Sequence, residues 1–503
     1  MLAADLQSLS TPVVVRSVAA AAILWFVVPR LWQIICNAAS PIVRVPGPLS
    51  HKLSEWPLVL SITKGRSHEK MQTLHKQYGP IVALAPGMVA VSEPQAIRQI
   101  LLTQDWPKSN AIYANFRQDP ERPTLLAFTD KKAYGVRKRL VSSMFGIRYI
   151  RGMEPIMRDC VRVALDQLHT SCQRNNGFAV VDVHRLMRAL AVDIIGATTF
   201  GESFHVVEQG SHPLPKKIEY SLLLSGIFQF LPWLKGMPGF PTRDPYINEF
   251  TGGIVDRRRQ AIQKNETPRH DLLQKLVETV DDSPHSSFRT SDLQDEVVVL
   301  LTAGSETTAT AEIFTTLLLA KNPDKLATLH EEIDRVYPDP EEETTAEKMN
   351  QMPYLQACFD ETMRLYAAMA SGSPREAPED TNLLGYHIPK GTTVFPTTAT
   401  LHRDGSLWSQ PDDFVPERWL ESNGEAGAGV KKAGMPFYPF SAGSRVCIGQ
   451  HFALQEMYLS IVSLLRNFTL EYIPGQDEST VFRVALQLSA GTYNVGIRER
   501  DKK

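Results

Sequence analysis

The stretch Phe440-Ser-Ala-Gly443-Ser-Arg445-Val-Cys447-Ile-Gly449 constrains this chain more than any other. An aromatic residue, a turn glycine, an arginine, a cysteine and a second glycine stand at fixed spacing. Helical periodicity begins directly afterwards, at Gln450-His451-Phe452-Ala453-Leu454-Gln455-Glu456-Met457. Cys447 is therefore expected on a loop feeding a helix N-terminus, where backbone N–H groups and the positive end of the helix dipole favour thiolate over thiol. Gly443 and Gly449 let backbone approach a flat partner where a side chain would collide. Arg445, two residues before the sulfur, can pair with a carboxylate on that partner's rim.

A lone cysteine is not a zinc site, which needs three or four grouped ligands. A single thiolate beneath a large planar group points instead to haem iron. The segment resembles the haem-binding signature of the cytochromes P-450, Phe-x-x-Gly-x-Arg-x-Cys-x-Gly, and matches it at every fixed position. An ordinary turn with a buried cysteine would reproduce five fixed positions by accident on the order of 1 time in 10,000 for a chain this long. The resemblance implies haem b with its iron on the Cys447 thiolate, and Phe440, Arg445 and Gly449 around it.

The chain has 503 residues, 43% hydrophobic and 21% charged, as in ordinary globular proteins. Lys plus Arg number 53 against 55 Asp plus Glu, so charge offers no case for nucleic acid. Five scattered cysteines suit a reducing compartment and not a disulfide framework. No glycine-rich nucleotide loop is visible, so electrons have to come from a separate protein.

Pro12 to Ile35 is mostly apolar, with Trp25 and Trp32 placed for an interface. As a helix, about 24 residues would reach roughly 36 Å, enough for a bilayer. Arg30, Arg44 and Lys52 follow the span and Asp5 precedes it, which puts the bulk of the protein in the cytosol. A cleaved secretory signal ending near Ala38-Ala39-Ser40 is the competing reading. Residues 1–40 are thus expected to be a membrane anchor, 41–50 a stiff proline hinge around Val45-Pro46-Gly47-Pro48, and 51–503 one catalytic domain.

Ile81–Ala85 and Met88–Val91 around Pro86-Gly87 read as a hairpin. Helical stretches follow at Pro94–Leu102 and Lys131–Phe145, with a long irregular loop, Trp106–Asp130, between them. Phe178–Phe200 reads as helical. Leu222–Leu234 reads equally as buried core or as an apolar lid over a substrate channel. Asp281–Thr290 and Glu421–Gly434 read as irregular surface segments. A capping box at Ser291–Gln294 opens an apolar helix to Leu319. Short strands are expected at Asn382–Ile388 and Thr392–Pro396, and a terminal hairpin tip at Leu486–Tyr493.

Within the long helix, Ala303-Gly304-Ser305-Glu306-Thr307-Thr308 costs helix stability relative to alanine. It resembles the family's segment across the oxygen-binding haem face. That implies Gly304 beside the cofactor, with Glu306 and Thr307 organising water and protons. Glu361-Thr-Met-Arg364 and Pro416-Glu417-Arg418-Trp419 resemble two further family segments. They imply a Glu361–Arg364–Arg418 network behind the haem. Arg375 matches a propionate contact. A second is expected from the Lys131–Phe145 helix, where the family has Trp-x-x-x-Arg and this chain has Tyr134 and Lys138. Either Lys138 or its neighbour Arg137 takes that contact.

With the anchor and hinge, the resemblance covers essentially the whole chain. It implies a mainly α fold with smaller β-sheets (α+β) and an N-terminal transmembrane helix. The expected activity is that of a haem-thiolate monooxygenase, inserting one atom of dioxygen into a lipophilic terpenoid, polyketide or steroid-like molecule. An NADPH-dependent reductase supplies electrons, at the endoplasmic reticulum membrane, as in fungal secondary metabolism. The alternative is a haem-thiolate isomerase, dehydratase or desaturase.

Overall fold

The structure is a computed structural model that describes residues 28–117, 121–230, 234–241, 244–281, 290–420, 435–483 and 485–500. Eight helices carry the architecture around the site: α1 (Val28–Ala39), α2 (Lys131–Ser142), α3 (Glu154–Arg174), α4 (Val183–Phe200), α5 (Pro213–Phe230), α6 (Thr290–Lys321), α7 (Pro353–Leu365) and α8 (Gln450–Asn467). The strands are β1 (Ile81–Ala85), β2 (Met88–Val91), β3 (Phe178–Asp182), β4 (Arg375–Glu376), β5 (Thr381–Leu383), β6 (Tyr386–Ile388), β7 (Thr393–Pro396), β8 (Phe468–Tyr472), β9 (Thr480–Phe482), β10 (Leu486–Leu488) and β11 (Asn494–Glu499).

The largest core lies among α3, α4, α6, α7 and α8. Helix α4 is buried from Ala189 to Phe200 on every side, so its apolar run has no polar face to show. Asp182 caps it, its carboxylate accepting from Arg185 N, and Gly201 ends it in the left-handed conformation. Among the described residues, α6 contains the helix, Ser291–Lys321, that is long and apolar enough to cross a membrane. It runs instead through this core, packed on α4.

A second core backs the mixed sheet β1-β2-β7-β4, in which β2 and β7 run parallel. The hairpin around Pro86-Gly87 forms with Gly87 at φ 69°. Three expectations change. Phe178–Asp182 is not helical but the strand β3, because β11 pairs along its whole length. Leu486–Leu488 is not a terminal tip, because it pairs back onto Thr480–Phe482. Pro94–Leu102 becomes a short α-helix, Pro94–Arg98, followed by a π-turn at Gln99–Thr103.

The proline segment 41–50 does not stand free of the domain. Ile42 and Val45 are buried, and Pro46 O accepts from Ala83 N at 2.8 Å. Of the expected anchor, residues 1–27 lie outside the described residues. Its last turns form α1, which exposes Val28, Leu31, Trp32, Ile34 and Ile35. The segments 421–434 and 282–289, and residues 231–233 of the apolar Leu222–Leu234 stretch, also lie outside. Leu224 and Phe228 of that stretch are buried on α5.

Candidate functional site

The cysteine loop is shaped by its own backbone. Cys447 N donates to Phe440 O at 2.9 Å, closing the turn, and Gly449 caps α8. Gly443 has φ 71°, and a Cβ there would overlap the Leu101 carbonyl oxygen of the π-turn. Asp105 anchors the neighbouring residue by accepting from Ser444 N at 3.2 Å. Gly449 is different: a Cβ would sit 3.9 Å from Cys447 Sγ, in ordinary contact. Its missing side chain therefore keeps space beside the sulfur.

Cys447 is exposed by surface area yet enclosed by protein, so its thiol faces an interior space. Burial pushes the thiol up, opposed by the Gly449 backbone and by Lys108 and Lys138. The expected helix-terminus effect is thus outweighed by desolvation. A bound metal cation reverses that balance, since a coordinating thiol is deprotonated outright.

Cations gather around this loop. Arg375 is fully buried and donates to Trp106 O at 3.2 Å and Ser441 Oγ at 3.3 Å. Arg445 donates to Phe128 O at 2.8 Å, and its guanidinium lies 3.6 Å over the Tyr134 ring. Lys108 is 9% exposed, donates to Leu126 O at 2.7 Å and lies over Tyr113. Burial, with Arg445 and Arg375 close by, lowers Lys108 to about 7. Burial likewise lowers Arg445 to about 10.

Among the described residues no ion pair joins Lys108, Arg375 or Arg445 to a carboxylate, and Arg375 Nε and Arg445 Nε have no hydrogen-bond partner. Buried cations in this state fit a planar group that brings its own carboxylates, as haem does with two propionates. Lys138 donates to Ser444 O at 2.8 Å, on the cysteine loop, whereas Arg137 pairs with the buried Glu296 at 3.0 Å. Arg137 is thereby committed elsewhere. Lys108 was invisible in the sequence because nothing about Pro107-Lys108 distinguishes it from a surface lysine.

On α6, Thr307 Oγ1 donates to Ala303 O at 2.8 Å, which takes that carbonyl into a side-chain bond. Ala303 is exposed although it lies mid-way along a core helix. Gly304 points elsewhere: a Cβ there would sit 2.7 Å from Ile195 Cδ1 on α4. The glycine lets α4 and α6 approach, and Ala303 is the small residue on the open face. Glu306 accepts from Arg188 at 2.6 Å and from Gln487 Nε2 at 3.2 Å. Neither partner was foreseen.

Glu361, Arg364 and Arg418 meet in the core. Arg364 is fully buried and grips Glu361 with two bonds, at 2.8 and 2.9 Å. Three further groups donate to Glu361: Arg418 Nε at 3.1 Å, Val415 N–H at 3.0 Å and Trp419 Nε1–H at 2.9 Å. The carboxylate thus receives five donors, and Trp419 is a member the charge pattern could not suggest. Arg364 also donates to the carbonyls of His402, Pro411 and Asp413, fixing the chain that leads to the cysteine loop.

Comparison with known proteins agrees with this arrangement. The family model described as Cytochrome P-450 matches residues 46–495. The chain is 55% identical over 480 residues to the cytochrome P-450 monooxygenase acrD of Aspergillus aculeatus, covering 94% of each chain. It is 55% identical to the monooxygenase LUC2 of a Fusarium species, covering 94% of this chain and 92% of that one. It is 50% identical to the monooxygenase FUS8 of Gibberella moniliformis, covering 98% and 96%. A crystal structure of a cytochrome P-450 superposes with a TM-score of 0.75 at 22% identity, covering 88% of this chain and 96% of that one. The chain accordingly belongs to the cytochrome P-450 family, as a monooxygenase whose cofactor is haem with an axial cysteine thiolate.

Proposed function

We propose that the protein inserts one oxygen atom of dioxygen into a lipophilic small molecule of terpenoid, polyketide or steroid type, in the biosynthesis of a secondary metabolite. The observation that carries this reading is the convergence beside Cys447 of three buried cations, Lys108, Arg375 and Arg445, that pair with no carboxylate among the described residues. When bound, the haem supplies dioxygen activation, with one oxygen going to substrate and one to water for two electrons and two protons.

In this reading Cys447 holds the iron, and Arg375, Arg445, Lys108 and Lys138 hold the propionates. Phe440 and Gly449 shape the loop against the ring. Glu306 and Thr307 manage protons and water on the opposite face. Glu361, Arg364 and Arg418 keep the cysteine side folded. An NADPH-dependent reductase supplies electrons and docks near the cysteine loop.

Substrate contacts come from the Tyr113–Phe116 segment, Met369–Ser373 and the β9–β10 hairpin. Tyr113, bonded to Ser373 at 3.0 Å, ties the first two together. The exposed apolar side chains of α1 continue the run from Pro12 and support residues 1–40 as a single-pass anchor in the endoplasmic reticulum membrane. The domain 51–503 then lies in the cytosol, joined through the docked segment 41–50.

The test compares metabolites from a producing host carrying wild type or Cys447→Ala under heavy-isotope dioxygen. A labelled product found only with wild type is expected. An unlabelled one would indicate isomerase, dehydratase or desaturase chemistry instead. Purified Cys447→Ala should lack the red-shifted carbon monoxide band of the reduced protein.

A further inference from the structure

Just before α2, residues 124–128 form one tight turn, closed where Thr124 O accepts from Ala127 N at 2.9 Å and from Phe128 N at 3.1 Å. Its carbonyl end faces the cations described above. Leu126 O accepts from Lys108 Nζ at 2.7 Å and Phe128 O from Arg445 at 2.8 Å, with Thr129 O a further acceptor for Arg445 at 3.3 Å. Its amide end faces α6. Leu125 N donates to both carboxylate oxygens of Glu296, at 2.9 and 3.1 Å, and Glu296 is 3% exposed.

The oxygen of Glu296 that receives this amide at 2.9 Å, Oε1, also receives Arg137 of α2 at 3.0 Å. The next residue on α2 is Lys138, which donates to Ser444 O on the cysteine loop. Burial pushes the Glu296 carboxyl up to about 7; Arg137 and the Leu125 amide oppose that rise, and Asp295 adds to it. A buried carboxylate held in this way is fixed in place, because leaving it or either donor unmatched is costly. Arg122, on the same loop, pairs separately with Asp292 of α6 at 2.9 Å. The loop therefore has an attachment to α6 that does not depend on Glu296.

We infer that Glu296 is a positioning residue for the haem cradle: from α6 it sets the turn whose carbonyls aim Lys108 and Arg445, and the helix that carries Lys138. One buried carboxylate thereby aligns three of the four cations assigned to the propionates. It acts through the Leu125 amide and through Arg137, at one remove from the cradle. With Leu125 released, Leu126 O and Phe128 O shift, and Lys108 and Arg445 lose the acceptors that point them. The inference rests on the reading of these cations as propionate partners.

The test follows haem transfer from the full-length, haem-loaded enzyme to an excess of haem-free myoglobin, read from the absorbance of the acceptor. Glu296→Leu keeps a similar volume and removes both acceptor oxygens. It should speed haem loss about tenfold, the scale of one buried donor left without its acceptor. Glu296→Gln keeps an oxygen where Leu125 N and Arg137 meet, and should stay within about twofold of wild type. A packing role would leave both variants like wild type, and a pure charge role would make both lose haem alike. Either result overturns the inference.

The double variant Lys108→Met, Arg445→Met is measured in parallel. If it sheds haem faster while Glu296→Leu does not, the Glu296 inference falls and the cradle reading stands. If it holds haem as long as wild type, the cradle reading falls and takes the inference with it. Amide hydrogen exchange gives a local readout independent of haem transfer. The Leu125 N–H should exchange about tenfold faster in Glu296→Leu and near the wild-type rate in Glu296→Gln; unchanged exchange in Glu296→Leu would overturn the inference. Should Glu296→Leu fail to fold, Leu125→Pro removes the same hydrogen bond from the donor side, with Leu125→Ala as its control. Faster haem loss from Leu125→Pro than from Leu125→Ala is expected, and equal loss would overturn the inference.

Discussion

Gly304→Ala separates two explanations for a glycine in the middle of α6. If the glycine serves helix packing, its energetics follow from Ile195. Helix propensity alone favours alanine by about 1 kcal/mol. The new Cβ would sit 2.7 Å from Ile195 Cδ1 and 3.1 Å from its Cγ1, between two fully packed helices. Overpacking of that kind costs about 1–3 kcal/mol, so Gly304→Ala should destabilise by about 1 kcal/mol net. Ile195→Val removes the atom at 2.7 Å and leaves the contact at 3.1 Å. In that background Gly304→Ala should be neutral or mildly stabilising, a coupling of about 1–2 kcal/mol in the double-mutant cycle. Denaturant unfolding of the haem-loaded protein measures the cycle, and the reduced carbon monoxide band measures haem content. Haem loss on Gly304→Ala in both backgrounds, with no coupling to Ile195, would refute the packing argument and return the glycine to the cofactor.

Glu361→Gln leaves two buried arginines without their anion and should cost about 3–5 kcal/mol; native-like denaturant resistance would contradict the network's role. Gly443→Ala combines strain at φ 71° with overlap on the Leu101 carbonyl. It should yield folded protein with sharply reduced haem content, whereas full occupancy would show that the loop has another way to sit. Lys108 gives a pH signature in the haem-free protein. Its folded value, about 7, lies below the ordinary 10.5, so between those values the unfolded chain binds more protons. Stability of the haem-free protein should therefore rise from pH 7 toward pH 10, by up to about 1.4 kcal/mol per pH unit. Lys108→Met should flatten that slope and haem loading should diminish it, both read from denaturation curves across pH.

The cysteine loop was legible because backbone chemistry and spacing coincide there: Gly443 has to be glycine, and α8 begins where its periodicity begins. The Glu361–Arg364–Arg418 network was legible because its charges sit on short motifs. Residues whose role depends on distant partners were not. Phe178–Asp182 carries no marker separating it from the helix after it, and only Asn494–Glu499, about three hundred residues later, makes it a strand. Lys108 and Arg188 look like surface cations until the fold encloses them. Gly304 was expected beside the cofactor; that its missing Cβ would meet Ile195 on α4 is a contact periodicity cannot place. The thiolate expected at Cys447 is the ligand the family uses, but the desolvation that opposes it without the metal is a quantity local sequence does not carry.

The contacts around the cysteine loop also set a schedule. Arg445 reaches back 317 residues to Phe128, and Lys138 meets the Ser444 carbonyl across 306. During synthesis, at about 5–20 residues per second, the first half of this cradle leaves the ribosome roughly 15–60 s before the segment that closes it. For that interval the early half cannot clamp anything, and its apolar surfaces wait uncovered. Haem capture through this cradle thus cannot begin before the cysteine loop has been made, and until the cofactor arrives a nearly complete chain waits with that side of its site unfilled.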